Sequence, residues 1–174
     1  MTATALRYTS LCLLAAAAAA GCAESGSDAP DSPDDPGMFE AALSNSEQTA
    51  FNFFVSKGLT KIQAAGVIGN LMQESSMNPA AVEFGGGPGR GIAQWSVGGR
   101  WDTSHNDNIT SYASTRGLSR GALSTQLNFI WFELTNFSGY GLAQLRAATT
   151  VTAAVAAFQN KYEICGTCAQ TQRL

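Results

Sequence analysis

The residue in this chain best placed to do chemistry is Glu74. It closes an apolar stretch whose periodicity predicts a helix, with Ile62, Ala65, Ile68, Leu71 and Met72 on the apolar positions. A carboxyl in a last helical turn faces the negative end of the helix dipole, and apolar flanks remove water from it. Both effects favour the protonated form, the state required of a general acid. The segment that follows holds Gly85, Gly86, Gly87, Gly89 and Gly91. Glycine leaves the backbone open to close approach by a ligand. Trp95, Trp101 and Tyr112 are nearby in sequence and offer flat faces on which sugar rings stack. On spacing alone, a solvated glutamate at a helix end is the favoured reading of Glu74.

Other chemistries find little support. No phosphate-binding loop and no HExxH sequence occurs, and the single histidine, His105, cannot build a zinc site. No cysteine sits at a helix start beside an activating neighbour, which argues against a cysteine peptidase. Nothing in the sequence asks for a metal or a cofactor.

The elements that must position Glu74 follow from periodicity and punctuation. Ala50, Phe51, Phe54 and Val55 recur at helical spacing before Gly58 stops the run. Thr60 and Gln63 form a capping box that starts the helix leading to Ser75. Gly66 and Gly69 inside it each cost about 1 kcal/mol relative to alanine, so another backbone is expected to pack there. The glycine-rich segment predicts a loop or short β-hairpin, with Ile92, Ala93, Gln94 and Trp95 as its second strand or turn. Further helices are predicted over residues 102–115, over 123–134 with Leu127, Ile130, Trp131 and Leu134 on one face, and over 151–163 with Thr150 as N-cap. The expected fold is mainly α, an α+β domain with one small glycine-rich hairpin beside a cleft.

Composition divides the 174 residues into three parts. Residues 1–21 read as a secretory signal, with Arg7 ahead of an apolar run of about ten residues, too short to span a bilayer. The run ends Ala19-Ala20-Gly21-Cys22, which resembles a bacterial lipoprotein signal in which Cys22 is lipidated. Ala19 departs from that pattern, where leucine is commoner, and cleavage near Ala20 is the alternative. Residues 22–37 are acidic and rich in serine and proline, the composition of a disordered tether. Residues 38–174 hold nine Lys and Arg against eight Asp and Glu, so they lack the basic footprint of a nucleic-acid binder. Of the four cysteines, Cys12 lies in the signal. Cys165 and Cys168 form a CxxC for which an exported chain favours a structural disulfide.

Two segments give the pattern a likeness. Gly69-Asn-Leu-Met-Gln-Glu-Ser-Ser-Met-Asn-Pro79, followed by Gly89-Arg-Gly-Ile-Ala-Gln-Trp-Ser-Val-Gly-Gly-Arg100, resembles the phage tail lysozyme family. The likeness continues through Thr125-Gln-Leu-Asn-Phe-Ile-Trp-Phe-Glu-Leu134 and the closing Tyr162-Glu163. Goose-type lysozymes and soluble lytic transglycosylases share the Glu-Ser helix end and the Gly-x-x-Gln turn. The resemblance implies a lysozyme-like fold. It also implies attack on the bond between N-acetylmuramic acid and N-acetylglucosamine in peptidoglycan, with Glu74 as the acid. By the same likeness Gly91, Ile92, Gln94 and Trp95 belong to the turn lining the substrate cleft. Glu83, nine residues after Glu74, is the candidate second carboxylate of a hydrolase, with a solvated loop glutamate as the alternative reading. Asp102 is an alternative to it and is equally explained as a cap. Glu133 is expected to pair structurally, with Arg100 as the natural partner. A lytic transglycosylase and an inactive wall-binding lipoprotein remain the competing functions, and a monomer is expected.

Overall fold

A helix survives here where its ends are capped and one face is covered. The computed structural model describes residues 43–164; Cys22, Cys165, Cys168 and the segments 1–21 and 22–37 lie outside them. Helix α1 (Asn45–Ser56) opens with Ser44, whose backbone N–H donates to Glu47 Oε2 at 2.7 Å. It buries Ala50, Phe51 and Phe54 and stops at Gly58, which adopts φ +89°.

Helix α2 (Lys61–Ser75) starts as its capping box predicts. Gln63 N–H donates to Thr60 Oγ1 at 3.2 Å, and Thr60 N–H to Gln63 Oε1 at 3.0 Å. Every residue from Gln63 through Leu71 is buried, so α2 is covered on all sides rather than along one stripe. Its polar members are satisfied across the core. Gln63 Nε2 donates to the carbonyls of Arg146 and Ala148, and Asn70 Nδ2 to those of Gly66 and Val155. Gly66 shows why glycine is tolerated mid-helix. A Cβ there would fall 2.7 Å from Val155 N and collide with Ala154, which belong to the last helix.

After α2 the chain turns through Ser76 and Met77, both at positive φ, with Met77 buried. Strands β1 (Gly89–Arg90) and β2 (Trp95–Ser96) form an antiparallel pair in the register Gly89 with Ser96 and Arg90 with Trp95. Residues 91–94 are therefore the hairpin turn. Val82 extends the sheet by one bridge to Arg90.

The predicted helix over 102–115 is shorter than expected. Residues 97–106 are turns, and only α3 (Ile109–Ser114) is helical, capped by Asn108 Oδ1 on Ser111 N–H at 2.7 Å. The reason is local. Asp102 Oδ1 accepts from Gly98 N–H at 2.8 Å, and the Gly99 carbonyl accepts from Thr103 and Ser104 N–H, which closes the backbone on itself. Helix α4 (Leu123–Asn136) buries Leu127, Ile130 and Leu134 of the predicted face, while Trp131 is half-buried and Phe129, off that pattern, is buried. Helix α5 (Leu142–Ala147) was not expected from the sequence. Its six residues offer too short a pattern, and Gly141 before it reads as a breaker. Helix α6 (Val151–Phe158) takes Thr150 as N-cap, with Ala153 N–H donating to Thr150 Oγ1 at 3.1 Å. Beyond Phe158 the helix widens into a π-turn, Gln159–Glu163, rather than continuing as α. The described residues are mainly helical with one small two-stranded antiparallel sheet. Among the described residues no helix is long and apolar enough to cross a membrane.

Candidate active site

Glu74 sits half-buried in the last turn of α2 and lines a cleft of about 1060 Å³. That helix end is fastened to the hairpin. Ser75 Oγ donates to the Ile92 carbonyl at 3.0 Å, and Ser76 ends the helix in the left-handed conformation. The Glu-Ser pair thus divides the work: the glutamate lines the cleft, and the serine holds the helix end against the turn.

The turn itself is clamped from beneath by Gln126 of α4, which is wholly buried. Its Oε1 accepts from Ile92 N–H at 2.9 Å, and its Nε2 donates to the Pro79 carbonyl at 2.8 Å. The approach requires glycine at 91, since a Cβ there would stand 2.7 Å from Gln126 Oε1. Gly91 and Ile92 are therefore buried supports, and neither is among the cleft's lining residues. Gln94 and Trp95 do line it. Gln94 adopts φ +48° and folds back to donate from Nε2 to the Gly91 carbonyl at 2.9 Å.

Glu83 lines the same cleft from the opposite end of the glycine segment. Its Oε2 accepts from Gly89 N–H at 2.8 Å, and its backbone N–H donates to the Gly89 carbonyl at 3.0 Å. The carboxylate lies so close over Gly87 that a Cβ there would overlap it. The glycines that sequence reading treated as open backbone for a ligand therefore also make room for Glu83.

Of the three aromatics expected at the cleft, Trp95 alone borders it. Trp95 is 2% exposed, stacked on Trp101 and edge-on to Phe129, with its Nε1 donating to Tyr162 Oη at 3.3 Å. Arg120 covers Trp101 and Arg116 covers Tyr112, and neither ring lines the large cleft. Two wall residues were missed in the sequence. Phe84 is fully exposed at the cleft. An aromatic set directly before three glycines has no local partner to bury it, and that was the available signal. Glu163 was passed over because a regular helix was assumed through it, whereas the π-turn carries it to the cleft wall.

Below the cleft is a buried charged network. Arg100 donates from Nε to Glu133 Oε1 at 2.7 Å and from a terminal nitrogen to Oε2 at 2.9 Å, the bidentate pairing expected for Glu133. Its other terminal nitrogen donates to the Tyr162 carbonyl at 3.1 Å, and its plane stacks on Tyr140 and Tyr162. Tyr162 Oη donates to Glu133, and Tyr140 Oη to Asp107. Burial pushes the Glu133 carboxyl up from its ordinary 4.5 to about 7, against the downward pull of Arg100 and Tyr162. Burial likewise raises the Tyr162 hydroxyl. Asp102 lies in the turn, accepting from Gly98 N–H and Thr103 Oγ1. Among the described residues no group of histidine, cysteine, aspartate and glutamate is arranged to hold a metal ion.

Comparison with known proteins supplies a family. No curated protein matches the chain. The phage tail lysozyme family matches residues 45–174, which takes in the helix carrying Glu74, the hairpin and the network beneath it. A match over most of the chain, on a helical fold with this small sheet beside a cleft, places the protein in the phage tail lysozyme family, as a lysozyme-like cell-wall hydrolase.

Proposed function

We propose that this chain is a muramidase, cutting the β-1,4 bond from N-acetylmuramic acid to N-acetylglucosamine with Glu74 as general acid. The observation that carries the reading is the cleft which Glu74 and Glu83 both line, together with Gln94 of the hairpin turn. In the proposed step the Glu74 carboxyl gives its proton to the glycosidic oxygen. The bond from that oxygen to the anomeric carbon breaks, and the N-acetylglucosamine hydroxyl leaves. Glu83 takes a proton from a water whose oxygen bonds to the same carbon. A carboxyl separation of roughly 6.5–9.5 Å leaves room for that water and gives inversion. Phe84 and Gln94 provide the wall against which sugar rings and their N-acetyl groups rest. Zymography of the purified chain on peptidoglycan, beside its Glu74→Gln variant, is the direct test.

One observation favours a second reading. Glu83 Oε2 is already engaged by Gly89 N–H, so the carboxylate also holds the loop closed. If that is its whole role, the sugar's own groups complete the reaction and the chain is a lytic transglycosylase. Products decide between the two. Hydrolysis gives free reducing ends, and Glu83→Gln then slows the reaction by about 10²-fold at unchanged substrate affinity. Mass spectrometry finding 1,6-anhydro sugars, about one water lighter, overturns hydrolysis. Full activity of Glu83→Gln with ordinary reducing ends keeps hydrolysis and removes Glu83 as its base.

We further propose that residues 1–21 are removed on export, that Cys22 carries lipid, and that residues 22–37 tether a monomeric catalytic domain, 38–174, to the membrane. The Gly21-Cys22 ending before an acidic, proline-rich segment supports this. The mature chain from a bacterial host should begin at Cys22 with the added mass of acyl chains. An unmodified N-terminus at any other residue overturns the anchor. The proposed Cys165–Cys168 disulfide would close a loop too short to contribute much stability.

A further inference from the structure

A second, smaller cavity of about 360 Å³ lies behind the segment 81–82. Ala81 and Val82 line both it and the cleft, so the two cavities share a wall. Two arginines, Arg90 and Arg120, line the smaller one together with Trp101. Arg120 lies 4.4 Å from the Trp101 ring centre and donates to Thr110 Oγ1 at 2.6 Å. Arg90 donates through one terminal nitrogen to the carbonyls of Gly87 and Gly89, at 2.5 and 2.7 Å. Among the described residues neither guanidinium is paired with a carboxylate; the ion pair beneath the cleft belongs to Arg100. Two half-buried cations are thus held in place by a ring, a hydroxyl and carbonyls, with donors left to offer.

We infer that this cavity binds a carboxylate of the short peptide borne by the N-acetylmuramic acid residue seated next to it in the cleft. The inference rests on the peptidoglycan reading and specifies how the polymer is gripped. The lactyl group of each N-acetylmuramic acid carries such a peptide, which contains free carboxylates, and the shared wall lets one polymer reach both cavities. Guanidinium matches carboxylate with parallel N–H···O bonds, and stacking on Trp101 keeps Arg120 oriented for it. Pro79 and Ala80, at the same rim, supply apolar surface for the small side chains of such a peptide.

The test uses the full chain with Glu74→Gln, so that bound strands are not consumed. The probes are phosphate-stripped peptidoglycan strands with their peptide carboxylates either free or converted to amides. The free-acid strands should bind about tenfold more tightly, the size expected for one charge-assisted contact. Adding Arg120→Gln should remove that tenfold and leave affinity for the amidated strands unchanged, while Arg120→Lys should recover part of it. Equal affinity of the parent for the two strands overturns the inference. Equal loss on both strands in Arg120→Gln also overturns it, because Arg120 then only supports the fold. Failure of the glycosidase reading is read separately, as absence of cleavage by the chain with Glu74 intact while the two strands still differ in affinity.

Discussion

Glu74→Gln should fold as the parent does and lose activity on peptidoglycan by about 10²–10⁴-fold, the range general acid catalysis supplies. The substitution keeps shape and hydrogen-bonding capacity but removes the transferable proton. Glu74 is half-buried at a helix end, so the amide needs no repacking. The anchor of that helix end belongs to Ser75, which the substitution does not touch. The leaving group, an alkoxide without its proton, then departs slowly, and the barrier rises in the bond-breaking step. Turbidity loss of purified wall measures the rate, and circular dichroism measures the fold. A variant retaining more than about a tenth of parental activity would take the acid role from Glu74, since even the weakest general acid contributes more than that.

Arg100→Met should destabilise the protein by about 3–5 kcal/mol, the usual result of removing one partner of a buried ion pair. Glu133 is wholly buried, and Arg100 engages both its carboxylate oxygens. Without the guanidinium the carboxylate must stay charged in a low dielectric or take up a proton. Pairing the change with Glu133→Leu should restore much of the loss, because two apolar side chains leave no stranded charge. The pH dependence has a definite sign. The folded Glu133 holds its proton up to about 7 and the unfolded one only to about 4.5. Its contribution is therefore present below about 4.5 and lost as pH rises through about 7. Removing Arg100 takes away a downward pull on that carboxyl, so the deficit of Arg100→Met should widen above neutrality and shrink near pH 5. Urea unfolding across that range is the measurement. A single variant within about 1 kcal/mol of the parent at pH 8 would show that the pair is solvated rather than buried.

The network has a consequence for the cleft. Tyr162 is held at its hydroxyl by Glu133 and Trp95 and at its carbonyl by Arg100. Glu163 follows it directly at the cleft wall. Arg100 lines the cleft as well, so its loss is expected to lower activity through the wall's position in addition to stability.

Several elements follow directly from local signals. The Thr60 and Gln63 capping box, the Gly58 stop, the Thr150 cap and the apolar face of α4 each depend on residues within a few positions of one another. Gly66 was legible because a mid-helix glycine has a cost that only close packing explains, and Ala154 and Val155 are that packing. Glu133 could be assigned a structural partner because a carboxylate on an apolar helix face has to be paired if it is buried. Where competing local bonds existed, periodicity misled: Asp102 and Gly99 gather backbone N–H groups into turns and forestall the helix expected there.

By itself, then, the sequence determined the helical framework, the hairpin, the paired Glu133 and the family likeness, because caps, breakers and apolar period act over a few residues. Which side chains face the cleft was decided only by tertiary structure. Trp95 read as a sugar platform; it borders the cleft, yet its ring is enclosed by Trp101, Phe129 and Tyr162 and is almost wholly buried. Gly91 and Ile92 read as cleft wall and are the support beneath it, because Gln126 of α4 approaches from behind. Phe84 and Glu163 reach the cleft through a glycine loop and a π-turn, neither of which has a periodic signature. Facing is a property of what packs against the other side of a residue, and in this protein that neighbour lies tens of positions away in the chain.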